Sequence, residues 1–306
     1  MMPRNLKGVS AAVCSNLLFI LLFLHSGWMK PMSGTDVFAW RMVAMLTGLL
    51  VLVTVTRSWG KTAGFVRGVG CDWKRWFLIL LPTPIIASQL WLFMWAPVNG
   101  EGVGVAMGYF LFPLMMVLAG SVLFGEKLTP LQKAAVGAAC AGVAAELWHT
   151  GAFSWATVWV FGTYPAYYLM RRRLKVPALT GLLIDLLLIT PFALLYIFTA
   201  SDSLAMIAAQ PSLVGFIVLL GAGSALAMQF NLYAGGTLPV VLFGMLSYLE
   251  PALLFVVSVL VLGEQVSTVS LACYSLIWLG LGLMLLDGLR AIGVQRLARG
   301  RALQQG

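Results

Sequence analysis

Charge is what this sequence has least of. Only 9% of its 306 residues are Asp, Glu, Lys or Arg, where a soluble domain carries about 25%. Acids are the scarcer sign, 10 against 19 bases. So few charges cannot clothe a water-facing globule, which excludes a soluble enzyme or binding domain. Histidine is nearly missing. His25 and His149 are the only two, so the serine in GAGSALA (221–227) has no base nearby to make it a nucleophile. The four cysteines, Cys14, Cys71, Cys140 and Cys273, form no C-x-x-C and no metal-ligand spacing. They read as small apolar fillers, and no metal or other cofactor is expected. The glycine string GEGVGVAMG (100–108) lacks the Gly-Lys-Ser/Thr ending of a phosphate loop, so ATP is not expected to drive the protein directly. Both glycine-rich strings read as small surfaces where membrane helices approach closely.

Apolar residues make up 61% of the chain. They come in runs of roughly 18 to 23, each long enough to cross a ~30 Å hydrocarbon core as a helix. The runs do not alternate at period two, as strands of a membrane barrel would. The chain is therefore expected to be an all-α integral membrane protein of ten transmembrane helices. The expected spans are 8–28, 36–56, 76–96, 103–123, 131–148, 152–170, 177–199, 212–233, 239–261 and 268–288. The first run follows Arg4 and Lys7 but is long for a signal peptide and has no clean cleavage site, so it is expected to be retained.

The net charge of +9 has a direction. With the N-terminus in the cytoplasm, seventeen Lys and Arg fall on the inner side and two, Lys30 and Arg41, on the outer side. That is the positive-inside bias. It points to an inner (plasma) membrane with both termini cytoplasmic. Anionic lipid headgroups, not nucleic acid, are the partner it calls for.

A shift of 138 residues superimposes part of the chain on itself. Pro113 falls on Pro251, Gly125-Glu126 on Gly263-Glu264, Ala134 on Ala272, Gly142 on Gly280 and Leu147 on Leu285. Two five-helix halves follow, residues 1–150 and 151–306. Five is odd, so the second half enters the membrane upside down, and Glu126 and Glu264 fall on opposite sides. Inverted repeats of this kind hold a substrate near the midplane and expose it alternately.

Two halves of five spans and a Pro-x11-Gly-Glu pattern closing the fourth and ninth resemble the EamA family of the drug/metabolite transporter superfamily. DVFAWRMV (36–43), LWLFMWAPVNGEGVGVAMGYFLFPL (90–114), FGEKLTPLQ (124–132), TGLLIDLLLITP (180–191) and SLIWLGLGLMLLD (275–287) are similar to its RarD-like branch over nearly the full length. The resemblance implies the inverted-repeat fold of that family and export of small organic metabolites or drugs.

Polar groups at membrane depth mark the candidate site. Glu250 lies about 16 Å into the ninth span, where a charge costs roughly 2.5–3.5 kcal/mol, and Pro251 beside it interrupts a helix. Asp185 lies about 12 Å into the seventh span and Arg41 about 8 Å into the second. Arg41 can snorkel outward with Asp36 as a partner, or select a substrate carboxylate if it faces a cavity. Glu146 and Asp287, at span ends, are expected to reach water. Rings and amides that suit a mixed apolar and polar ligand are Trp91, Trp95, Asn99, Tyr109, Tyr164, Tyr168, Gln229 and Tyr248. With Glu250 and Arg41 they form the candidate substrate site, and Glu250 and Asp185 are the candidate proton-coupling groups. The expected function is a secondary exporter, a monomer or homodimer, that moves a small-molecule substrate by alternating access with proton exchange. The alternatives are a passive facilitator or channel and an intramembrane enzyme. The enzyme is disfavoured because the buried acids are scattered over different helices.

Overall fold

A computed structural model describes residues 4–124, 128–150, 154–238 and 246–304. Gly125 and Glu126, half of the repeated motif, lie outside the described residues. Among the described residues all regular structure is helical. The helices are α1 (Arg4–Trp28), α2 (Gly34–Val55), α3 (Trp59–Val69), α4 (Trp73–Leu80), α5 (Thr83–Trp95), α6 (Gly102–Phe124), α7 (Pro130–Thr150), α8 (Trp155–Arg173), α9 (Ala178–Thr199), α10 (Ser203–Ala209), α11 (Ser212–Thr237), α12 (Leu249–Leu260) and α13 (Thr268–Gln304). Among the described residues, five stretches are both long and apolar enough to cross a membrane: Lys7–Trp28, Gly34–Val55, Trp73–Val98, Leu179–Thr199 and Ser212–Ala234. Shorter apolar helical stretches are Gly102–Met116, Leu249–Leu260 and Thr268–Met284.

The apolar residues that water would reject face outward. Val55 is 75% exposed, Phe198 70% and Leu260 76%, a surface suited to lipid. Cys14 and Cys140 are also exposed, and of the four cysteines only Cys273 is a buried filler.

Several boundaries differ from the expected spans, each for a local reason. The third span is bent, α4 ending before Pro82 and α5 starting after it, because proline lacks an N–H and its ring clashes with the preceding turn. The segments expected as plain loops hold the short helices α3 and α10. The last helix runs on to Gln304 and does not stop near 288. At the start of α2, Ser33 and Asp36 cap each other's backbone N–H groups at 3.1 and 2.9 Å, the reciprocal arrangement of a capping box.

Side-chain contacts set the helix directions. Thr129, before α7, donates to Asp287 near the far part of α13 at 2.9 Å, and Ser270, at the start of α13, donates to Glu146 near the end of α7 at 2.7 Å. The two helices are therefore antiparallel. Glu146 does not reach out to water as expected but is buried and accepts from Ser270, while Asp287 is half-buried and accepts from Thr129 and Gln132. In α2 and α9, Asp36 meets Tyr196 at one end and Thr190 meets the Met42 carbonyl further along, again antiparallel. In α6 and α12, Glu264 beyond the end of α12 accepts the N–H groups of Gly102 and Val103 at the start of α6, at 2.8 and 2.9 Å.

Close approach depends on glycine at the α7–α13 crossing. A Cβ on Gly142 would lie 2.8 Å from the Cys273 carbonyl oxygen, and one on Gly280 would lie 2.7 Å from the Ala135 carbonyl oxygen. The two contacts are related by the same shift of 138, since it carries Ala135 onto Cys273 as well as Gly142 onto Gly280.

Candidate functional site

Five of the ten candidate site residues converge between α2, α6, α8 and α12. The Tyr109 and Tyr164 rings lie 5.9 Å apart edge to face, and Tyr164 and Tyr168 5.0 Å apart. The Tyr168 hydroxyl donates to that of Tyr164 at 3.3 Å. Phe112, on α6, packs against both at 5.1 and 5.4 Å. Arg41 and Glu250 bring opposite charges into electrostatic reach of these phenols and of each other.

Arg41 is 2% exposed and does not snorkel. Asp36, its expected partner, is taken up by Ser33, Tyr196 and Ser201. Arg41 Nε donates instead to Ser224 Oγ at 3.2 Å, and its guanidinium lies 5.3 Å from the Phe93 ring centroid. The packing of α2 on α11 enables this. A Cβ on Gly221 would lie 2.9 Å from the Ala44 carbonyl oxygen, and one on Gly48 3.2 Å from that of Gly221. Small residues thus bring the backbones together and set Ser224 under Arg41. The Nη1 atom of Arg41 is buried with no hydrogen-bond partner.

Glu250 stands in the first turn of α12, because that helix begins at Leu249. Leu246 and Ser247 are also helical and Tyr248 is a turn, so the helix is interrupted one turn before Pro251, as expected of a proline. The first N–H groups of a helix have no intrahelical partner, so proline is tolerated there, and the helix dipole favours an adjacent acid. Glu250 is half-buried. Among the described residues no N–O contact within 4.0 Å joins it to Arg41. Two opposite charges therefore lie within electrostatic reach of each other without touching. From the N-terminal ends of their helices, Arg41 and Tyr109 lie about 10 Å along and Tyr164 about 13 Å along.

The other candidates lie elsewhere. Trp91 and Trp95 stack at 5.3 Å, with Trp155 at 5.6 Å from Trp95, and Trp91 Nε1 donates to Thr35 at 3.0 Å. They line the same apolar core as Tyr109 but nearer the start of α2. Asn99 is exposed and donates to the Trp95 carbonyl at 2.7 Å, closing the end of α5. Gln229 is half-buried on α11. Tyr248 precedes α12 and its hydroxyl reaches Met284 Sδ at 3.7 Å. Asp185 is fully buried in a separate knot. It pairs with Arg171 and accepts from Thr83 at 2.6 Å and Tyr167 at 2.9 Å. Ser224, Phe93, Phe112 and Arg171 were not singled out from the sequence. Ser224 read as a small spacer, and Arg171 read as the first of three basic residues at a span end.

Two cavities flank the cluster and do not contain it. One of about 300 Å³ lies between α6 and α8, lined by Met115, Pro165 and Leu169 among others. The other, about 430 Å³ and almost wholly apolar, lies between α2, α5 and α9. Hydrocarbon suits these walls better than a polar solute does.

A lipid-facing helical bundle enclosing buried charges is a multi-pass membrane protein, and the proteins it is similar to are transporters. No protein-family model matches the chain. It is 44% identical over 284 residues to an uncharacterized transporter of Haemophilus influenzae, covering 92% of this chain and 95% of that protein. It is 37% identical over 293 residues to the chloramphenicol-sensitive protein RarD of Pseudomonas aeruginosa, covering 94% and 97%. The RarD protein of Salmonella typhi is 26% identical over 285 residues, covering 92% and 96%. The chain belongs to the RarD-like family of transporters.

Proposed function

We propose that the protein is a secondary transporter of the drug/metabolite superfamily that exports small organic solutes across the inner membrane. It works by alternating access between two inverted five-helix repeats, residues 1–150 and 151–306, with both termini cytoplasmic. The solute sits among Arg41, Tyr109, Tyr164, Tyr168 and Glu250, and Glu250 carries the coupled proton. Asp185, tied to Arg171, holds helices together and does not carry the coupling.

The observation that carries this reading is which helices supply the charged and phenolic cluster. Arg41 and Tyr109 come from the first half; Tyr164, Tyr168 and Glu250 come from the second. A site built from both halves changes its exposure when one half rocks on the other. The repeat is supported by the packing. Helices equivalent under the shift, α2 with α9, α6 with α12 and α7 with α13, pack against each other, and each pair is antiparallel. The packing of α1 on α11 has its counterpart in α5 on α8, and that of α6 on α8 its counterpart in α1 on α12.

The test is flux into proteoliposomes holding the purified protein. The panel comprises small organic acids, amines and neutral aromatics, with chloramphenicol included because one relative is named for it. At least one member is expected to enter saturably, to be accelerated by the same solute on the far side, and to respond to an imposed pH gradient in the native protein but not in Glu250→Gln. Flux that is linear in concentration without acceleration would identify a channel. No flux of any member would contradict the proposal.

A further inference from the structure

Arg41 is a cation without an adequate partner. One of its nitrogens bonds a neutral serine, and buried Nη1 bonds nothing. The other deep acids are committed, Asp185 to Arg171, Thr83 and Tyr167, and Asp36 to Ser33, Tyr196 and Ser201. Among the described residues, the titratable groups within electrostatic reach of Arg41 are His25 on α1, Tyr109 on α6, Tyr164 on α8 and Glu250 on α12. Tyr168 joins them around Glu250. Only Glu250 among these is an acid, and it stops short of contact. A guanidinium offers a planar fork that matches a carboxylate. Phe93 packs on the guanidinium at 5.3 Å, and the Tyr109, Tyr164, Tyr168 and Phe112 rings, 5.0 to 5.9 Å apart, offer faces and edges to an apolar or aromatic body.

We propose that Arg41 anchors the carboxylate of an aromatic or apolar organic acid, and that Glu250 takes up a proton as that acid binds. This rests on the transporter reading above and adds the substrate class and the sign of the coupling. Charge balance requires the proton. Without a solute, Arg41 and Glu250 offset each other. An added carboxylate leaves one uncompensated negative charge in a low-dielectric site, which is costly. A proton drawn from the aqueous phase that the site then faces forms an O–H bond on Glu250 and restores neutrality. Acid and proton therefore travel together as a neutral pair, so export runs down the gradient of an acid made inside the cell and carries the proton out with it. The solute gradient and the pH gradient drive the movement, and the membrane potential does not.

The experiment uses the purified full-length protein with three matched probes: phenylacetate, 2-phenylacetamide and phenethylamine. Phenylacetate is expected to raise the melting temperature and to draw a single proton from weakly buffered solution as it binds. Its affinity should fall about tenfold per pH unit where Glu250 of the empty site is ionised. In Glu250→Gln that slope and the proton uptake should vanish while binding persists. Arg41→Lys keeps the charge but lacks the fork, and should weaken phenylacetate alone. Equal shifts from acid and amide, no shift from any probe, or acid binding without proton uptake would each overturn the proposal. Saturable transport of neutral solutes with no preference for the acid would overturn it too, yet leave the transporter reading standing.

Discussion

Replacing Asp185 by asparagine separates a structural acid from a coupling acid. Asp185 is 0% exposed and receives Arg171, Thr83 and Tyr167. Removing one partner of a buried ion pair leaves the other uncompensated, at a cost of about 3–5 kcal/mol. Asp185→Asn and Arg171→Met should each destabilise by about that amount. Replacing both partners by apolar residues of similar volume is often close to neutral. In Asp185→Leu with Arg171→Met, the hydroxyls of Thr83 and Tyr167 would still lose their acceptor, at about 0.5–1.5 kcal/mol each. The double variant should therefore be less damaged than the sum of the singles by several kcal/mol. Unfolding by SDS titration in mixed micelles measures all three. Additive losses would show that no buried pair exists. Lost proton coupling in Asp185→Asn at unchanged stability would make Asp185 the coupling group and refute the structural assignment.

The α7–α13 crossing should respond alike at its two glycines. Gly142→Ala and Gly280→Ala each push a methyl to under 3 Å from a carbonyl oxygen, so each should cost about 1–3 kcal/mol in the same unfolding assay; a neutral result at either site contradicts the packing. Trp91→Phe removes the donor to Thr35 and should cost about 0.5–1.5 kcal/mol without changing solute affinity, measured by unfolding and flux together. Glu264 supplies a pH effect. Burial lifts its carboxyl above the ordinary 4.5, while the Val103 and Gly102 N–H groups oppose the rise and Glu101 adds to it. The folded protein then holds that proton more tightly than the unfolded chain, so this contribution to stability is lost as pH rises from 4.5 through the raised value. Glu264→Gln should flatten that part of the pH–stability curve, and an unchanged slope would reject the assignment.

The helices were legible because lipid demands long uninterrupted apolar runs, which a single sequence displays directly. Arg41 and Glu250 were legible for the converse reason: a charge at depth is costly and stands out. Their partners were not. Arg41 meets Ser224 across 183 positions, and nothing local distinguishes that serine from a small spacer. Arg171 looked like part of a basic cluster, yet it turns inward to Asp185, 14 residues on. Pro251 was legible as a helix break because proline lacks the N–H that a helix interior needs, and helical residues 246 and 247 are separated from α12 by a turn at Tyr248. Asn99 read as a ligand group, but as an amide at a helix end it is held by the nearest carbonyl.

The most direct test concerns the two repeats. In a variant freed of its native cysteines, a single cysteine is placed at Lys127 or at Gln265, positions related by the shift of 138. A membrane-impermeant maleimide added to intact cells should label the cysteine at 265 at once, and the one at 127 only after the membrane is opened. Labelling of both from the same side would mean that the halves are not inverted, and alternating access between them would be contradicted.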